Sequence, residues 1–415
     1  MRFDPVEVGK PAQSGASERV VQALHTGLIT RQVGDVMPVN AAPSNRSNGL
    51  LGRDAMVREL MRPFRPFLDM PGATDIFVNE PGKVIVVAGA ARHRIDAPEL
   101  TLKRLVALAQ TIATFTDQEI GPMKPIMSAR LPDGERIQVV LSPAVEPETI
   151  SISIRIPGES IKPLSEYQAE GAFDRFLWGR SKQLDARRND LSPMDRRLIE
   201  HLEANRLMEF FKLAVRERKN IAVVGDTGSG KTTLMKAMCQ SIPAMQRIVT
   251  IEDVRELFLP GHDDRVHLLY SKGGQGVAKV TPTDLIAANM RMMPDRVLLA
   301  ELRGGEAFDF LKLLTTGHSG SITSYHAESC ALATERYVFM CKEHEQATIY
   351  DADALKRLVA LTIDVIVHMV AHVEFDDNDK PISKQRYVAE VHFDPVAKLA
   401  ARFGDATLHR SERTA

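Results

Sequence analysis

The sequence predicts an α/β fold: a C-terminal domain of alternating strands and helices, preceded by a smaller α+β N-terminal domain. Three observations predict it. From residue 221 onward strand-like and helix-like patterns alternate, as in a parallel sheet covered by helices. The turn between the first such strand and helix reads Gly225-Asp-Thr-Gly-Ser-Gly-Lys-Thr232. Upstream, residues 151–156 alternate strictly, with Ile152, Ile154 and Ile156 on one face and Ser151, Ser153 and Arg155 on the other.

Composition bounds the answer. A chain of 415 residues exceeds the size at which one core stops growing, so two domains plus connecting segments are expected. Hydrophobic residues at 44% and charged residues at 26% exclude a wholly disordered or collagen-like chain. Lys plus Arg total 53 against 54 for Asp plus Glu, so no whole-chain pull draws it to nucleic acid or anionic lipid. The three cysteines, Cys239, Cys330 and Cys341, are too scattered for a disulfide framework, and no C-x-x-C pair points to zinc; a reducing cytosol fits. The opening MRFDPVEVGK lacks the apolar stretch of a secretory signal, and Asp364 and His368 interrupt the apolar run 358–373, so no transmembrane helix is expected.

Residues 1–50, rich in Ser, Gly, Ala, Pro and Asn, read as a mobile tail in which only 20–28 suggests a short helix. The N-terminal domain spans 51–160. A helix is expected over 54–64, then a hairpin over 74–87 turning at Glu80-Pro81-Gly82. Leu102, Leu105, Leu108, Ala109 and Ile112 recur at helical spacing, and Pro132-Asp133-Gly134 makes a further turn. Residues 161–205, charged and weakly periodic, read as a linker with some helix. The C-terminal domain, 206–415, begins with a helix marked by Leu207, Phe211, Ala214 and Val215 and a strand over 221–224. A helix from Lys231, strands at 248–251 and 266–270, a helix from Pro282 and a strand at 297–300 follow. The helix at Pro282 carries an explicit start signal: Thr281 as N-cap, Pro282 in the first turn, and Asp284 three residues after the cap.

Four segments carry chemistry. The glycine-rich turn matches G-x-x-x-x-G-K-[ST] in the strand-to-helix context the motif requires. Its glycines turn backbone N–H groups onto phosphate oxygens, Lys231 reaches the outer phosphates and Thr232 ligates magnesium. This assigns Gly225, Thr227, Gly228, Ser229, Gly230, Lys231, Thr232 and Thr233 to nucleotide, with ATP and Mg2+ as ligands. Glu301 ends an apolar strand, the place of an acid near magnesium and the attacking water. Glu252 and Asp253 end another and are candidates to hold the metal through water. The polar run 317–326 offers His318 and His326 to a γ-phosphate.

In this order, GDTGSGKTT, TIEDVREL, DRVLLAELRGGEAFDF and GHSGSITSYHA resemble the phosphate loop, acidic box, second acidic motif and histidine box of the secretion ATPases. Among these, the chain is most similar to the VirB-type hexameric ATPases of type IV secretion. TDIFVNEPGKVIV resembles that family's N-terminal hairpin, LPDGERIQVVLSPAVEPETISISIR its nucleotide-facing strands, and no cysteine zinc module of the type II motors is present. The resemblance implies a RecA-like C-terminal domain and ATP between the domains, with Glu301 acting on water, Glu252 and Asp253 supporting the metal and His326 sensing the γ-phosphate. It also implies that Arg136 and Arg155 reach the phosphates from the N-terminal domain. It further implies a homo-hexamer, docked peripherally on the cytoplasmic face of an inner membrane beside other secretion-system components. A type IV pilus or type II secretion motor, a nucleotide-gated scaffold and a nucleic-acid translocase are the alternatives. The chain departs from the family at Met293, where an arginine is usual, and at Ser324-Tyr325, where Thr-Leu is usual.

Overall fold

A computed structural model of the chain describes residues 52–158, 161–270, 280–378 and 381–403. The expected tail, 1–50, lies outside them. Helix α1 (Ala55–Met61) leads into a six-stranded antiparallel sheet: β1 (Ala73–Val78), β2 (Lys83–Ala88), β3 (Ala91–Asp96), β4 (Ile126–Arg130), β5 (Arg136–Leu141) and β6 (Ile150–Arg155), ordered β3-β2-β1-β6-β5-β4. One face is apolar because the strands alternate: Ile137 and Val139 of β5 and Ile152 and Ile154 of β6 are buried with Leu105, Leu108 and Ile112 of helix α2 (Leu102–Phe115). The opposite face is polar. On it Arg136 and Arg155 are direct cross-strand partners, Arg130 stands beyond Arg136 and Asp75 beyond Arg155. Like charges placed opposite one another in a sheet repel.

The second sheet has eight strands in the order β10-β9-β11-β12-β8-β13-β14-β7, parallel from β10 through β13. These are β7 (Leu177–Trp178), β8 (Ile221–Gly225), β9 (Ile248–Glu252), β10 (Arg265–Leu269), β11 (Arg296–Leu299), β12 (Ile322–Tyr325), β13 (Val365–Phe375) and β14 (Pro381–His392). Both faces are covered, which is why its central strands read as continuous apolar runs. Ile221 and Val223 pack into one cluster with α3 (Leu164–Ala169), α4 (Pro193–Glu203), α5 (Leu207–Arg216) and α6 (Lys231–Cys239); Ala222 and Val224 pack into the other. That second layer holds α7 (Pro282–Asn289), α8 (Glu306–Thr315), α9 (Cys330–Lys342) and α10 (Ala352–Thr362). The capping box at Thr281 and Asp284 forms as its sequence predicts. Among the described residues no helix is long and apolar enough to cross a membrane.

The stretch 161–205 departs from its reading as a linker. Leu164, Tyr167, Phe173, Leu184, Leu191, Leu198, Ile199 and Leu202 are buried in the same cluster as Ile221 and Val223, and β7 pairs with β14. The apolar residues are spread over short elements, so no window shows a clean period. The charges between them are paired, Arg188 with Glu203 near the surface and Lys219 with Asp195 half-buried.

Asn220, buried just before β8, ties three segments together. Its Oδ1 accepts from the N–H groups of Gly320 and Ser321 at 2.8 and 3.0 Å, and its Nδ2 donates to the Thr362 carbonyl at 2.8 Å. Asn220→Ala leaves three buried backbone groups unpaired, each costing about 1–3 kcal/mol. We expect a loss of roughly 3 kcal/mol, read as a lower melting temperature; an unchanged melting temperature contradicts this account.

Candidate active site

The parallel strands β8, β9, β11 and β12 all end on one edge of the second sheet, the edge where open α/β folds bind ligands. Gly225 closes β8 with φ +144°, and a Cβ there would stand 2.2 Å from the Met369 carbonyl oxygen of β13, so only glycine fits. Gly230, at φ +96°, caps the start of α6, whose first-turn N–H groups and dipole face the loop. Lys231 is buried, and its Nζ donates to the carbonyls of Gly225 and Asp226 at 2.8 and 2.9 Å. Burial lowers its pKa, which Glu301 and then Asp226 partly restore. Those carbonyls hold the ammonium at the mouth of the loop.

Around this loop lies a cleft of about 760 Å3, within the range of small-molecule sites. Thr227, Gly228, Gly230, Lys231, Thr232 and Thr233 line it from below, and Arg136 and Arg155 of the first sheet line it from above. Ser229 is buried beneath the loop, its Oγ without a partner among the described residues. Nine Lys or Arg side chains border the cleft against four Asp or Glu, an excess of five positive charges. Such an excess focuses a field that attracts anions. A second cavity, about 320 Å3, has Lys219 and Lys398 paired with Asp195 and Asp364 and offers no comparable field.

A chain of alternating charges crosses the cleft. His326 Nε2 stands 3.1 Å from Glu301 Oε1, and Glu301 Oε2 accepts from Arg303 Nε at 2.7 Å. Arg303 Nη1 lies 3.1 Å from Asp253 Oδ2. Asp253 Oδ1 accepts from Arg136 Nη2 at 2.6 Å, and Arg136 Nη1 reaches Glu256 Oε1 at 3.1 Å. Burial works against the charge of Arg303, but Asp253 and Glu301 outweigh it and raise its pKa. Arg155 is more open, and its Nε donates to Asp75 at 2.9 Å.

Two expectations are corrected. Glu252 does not reach the cleft. It is fully buried, its Oε1 taking the Thr250 hydroxyl at 2.6 Å and facing His267 Nδ1 at 3.1 Å, its Oε2 accepting from the N–H groups of Glu256 and Leu257 at 2.7 and 2.8 Å. With both oxygens committed it has none for a metal, and it shapes the turn that presents Asp253 and Glu256. His318 sits before β12, at the opposite edge of the sheet, where its Nδ1 meets the Thr316 hydroxyl at 3.2 Å. Met293, at the departure from the family pattern, is 87% exposed and does not border the cleft. Ser324, at the other, donates to the Ala300 carbonyl at 2.6 Å and helps set the end of β11 beside β12. Arg303, Lys236, Arg336, Lys384 and Arg386 all line the cleft and were not singled out in the sequence. For Arg303 a signal existed, a cation two residues after Glu301.

The site's donors suit a magnesium nucleotide. Thr232, Asp253 and Glu301 present hard oxygens to the cleft, and magnesium takes most of its remaining ligands from phosphate and water.

A family model described as Type II/IV secretion system protein matches residues 184–394. The type IV secretion system protein VirB11 of Brucella suis biovar 1 (strain 1330) is 40% identical over 379 residues, 89% of this chain and 99% of the relative. PtlH of Bordetella pertussis (strain Tohama I) is 42% identical over 316 residues, 76% of this chain and 90% of the relative. A crystal structure of the VirB11 ATPase from the Brucella suis type IV secretion system, in complex with sulphate, aligns at 42% identity over 83% of this chain and 99% of that one, with a TM-score of 0.45. Identity at this level, sustained across nearly the whole of a relative, shows that the chain belongs to the VirB11 family of type IV secretion ATPases.

Proposed function

We propose that this chain hydrolyses ATP and couples turnover to movement of the first sheet against the phosphate loop, driving transport or pilus assembly in a type IV secretion system. The observation that carries the reading is the charge chain from His326 to Arg136, because it joins a strand-end carboxylate beside the loop to an arginine of the other sheet. Lys231 and the loop amides bind the outer phosphates, and Thr232, Asp253 and Glu301 would hold magnesium, whose charge would offset that of the phosphates. When Arg136 turns from Asp253 to a phosphate oxygen, Asp253 is left to Arg303. Arg303 then relaxes its hold on Glu301, which is free to accept the proton of the attacking water. His326, on the other oxygen of Glu301, senses the γ-phosphate. The chain works as a homo-hexamer, peripheral on the cytoplasmic face of an inner membrane and beside other components of the system.

Steady-state phosphate release tests the reading directly; binding of ATP without release would make the protein a nucleotide-gated scaffold. Arg136→Ala and Arg155→Ala test the part played by the first sheet. An arginine on transition-state charge is worth about 10³–10⁵ in rate, whereas an exposed surface arginine contributes almost nothing. Each variant is expected to lower turnover at least about tenfold while native mass shows assembly intact. Parent rates in both, over a range of ATP concentrations, would remove the first sheet from the mechanism.

A further inference from the structure

We propose that Lys384 and Arg386, on an arm that β13 and β14 extend past the second sheet, bind the phosphate chain of the nucleotide. The inference rests on the ATP reading of the cleft and adds to it a binding element from a distant part of the chain.

The arm arises from a mismatch in strand length. β8 ends at Gly225, which pairs with Met369 of β13, but β13 runs six residues further, to Phe375. β14 stays paired along that extension, from Val370 opposite Tyr387 to Phe375 opposite Pro381. Beyond the sheet the two strands therefore stand beside the phosphate loop. Lys384 and Arg386 are two residues apart on β14 and share a face.

That face meets the loop. Arg386 Nε donates to the Gly228 carbonyl at 3.0 Å. Its Cδ lies 3.1 Å from where a Cβ on Gly230 would stand, and Lys384 Nζ lies 3.6 Å from the corresponding position on Gly228. These are the two glycines whose lack of a side chain lets phosphate approach, and both cations border the cleft.

Among the described residues neither side chain forms an ion pair with a carboxylate, and the Lys384 side chain makes no hydrogen bond, its backbone being paired with Val373. Burial, and then Arg386 beside it, lower the Lys384 pKa. Asp75 offsets this only in part; two adjacent cations with no carboxylate in direct contact repel, and an arriving polyanion relieves that cost. The charges on the four carboxylates of the cleft are already met elsewhere: Asp75 by Arg155, Asp253 and Glu256 by Arg136, Glu301 by Arg303.

The test measures dissociation constants of the full-length chain for Mg-ATP and for tripolyphosphate, the phosphate chain without base or sugar. Lys384→Met and Arg386→Gln are each expected to weaken both ligands about tenfold, with the melting temperature unchanged and Lys384→Arg close to the parent. Lys384 is the cleaner probe, since it makes no bond to the loop and its loss cannot act by reshaping it. If the parent binds ATP, Lys231→Ala binds it less well, and both arm variants match the parent, the arm proposal fails and the ATP reading stands. Weakening confined to ATP and absent for tripolyphosphate also overturns it, by moving the contact to base or sugar. A parent that binds neither ligand overturns both.

Discussion

Lys231→Ala is expected to lower ATP turnover about a thousand-fold, since it removes a fixed charge aimed at the outer phosphates from a dry site. The side chain is buried and its ammonium is held by two loop carbonyls, of Gly225 and Asp226, so its position is set before any ligand arrives. That preorganisation is what makes the effect large, because little reorganisation opposes it when phosphate enters. Removing the ammonium also frees those two carbonyls. A melting curve must therefore accompany the rate measurement. Turnover at the parent rate in a folded variant would refute the assignment of residues 225–232 as a phosphate loop.

The phosphate loop was legible because its requirements are local: a strand, three glycines in the required places and a lysine opening a helix. Glu301 and His326 were legible for a related reason, each following a strand that ends on the same edge of the sheet. Glu252 and Asp253 were read together, yet neighbouring residues at a strand end point to different sides, so only one of two adjacent acids could enter the cleft. Thr250 and Glu252 share the buried side; Asp253 takes the open one. Arg136 and Arg155 came from family resemblance, and their cross-strand register adds a physical reason for grouping them. Lys384 and Arg386 had no local signal. Arg386 meets Gly228 across 158 residues of sequence, through a register that depends on how far β13 outruns β8.

Glu301→Gln is expected to keep Mg-ATP binding close to the parent and to lower hydrolysis by about 10²–10⁴, the range general-base catalysis supplies. The substitution tests the proton and little else. Glu301 Oε2 accepts from Arg303 and Oε1 faces His326, and a glutamine can still accept from the arginine while its amide donates to an unprotonated imidazole. Shape and contacts are thus preserved, but the amide cannot take a proton from water. Arg303 occupies one Glu301 oxygen, so that contact must loosen before the oxygen can take a proton from water, and Arg136 controls that through Asp253. Arg136→Ala leaves Asp253 to Arg303 and costs the phosphate contact, so its loss should multiply that of Glu301→Gln, as independent effects do. A double variant no slower than Glu301→Gln alone would instead place both residues on one proton transfer. Failure of Glu301→Gln to bind Mg-ATP would make Glu301 chiefly a metal-site residue and place the base elsewhere.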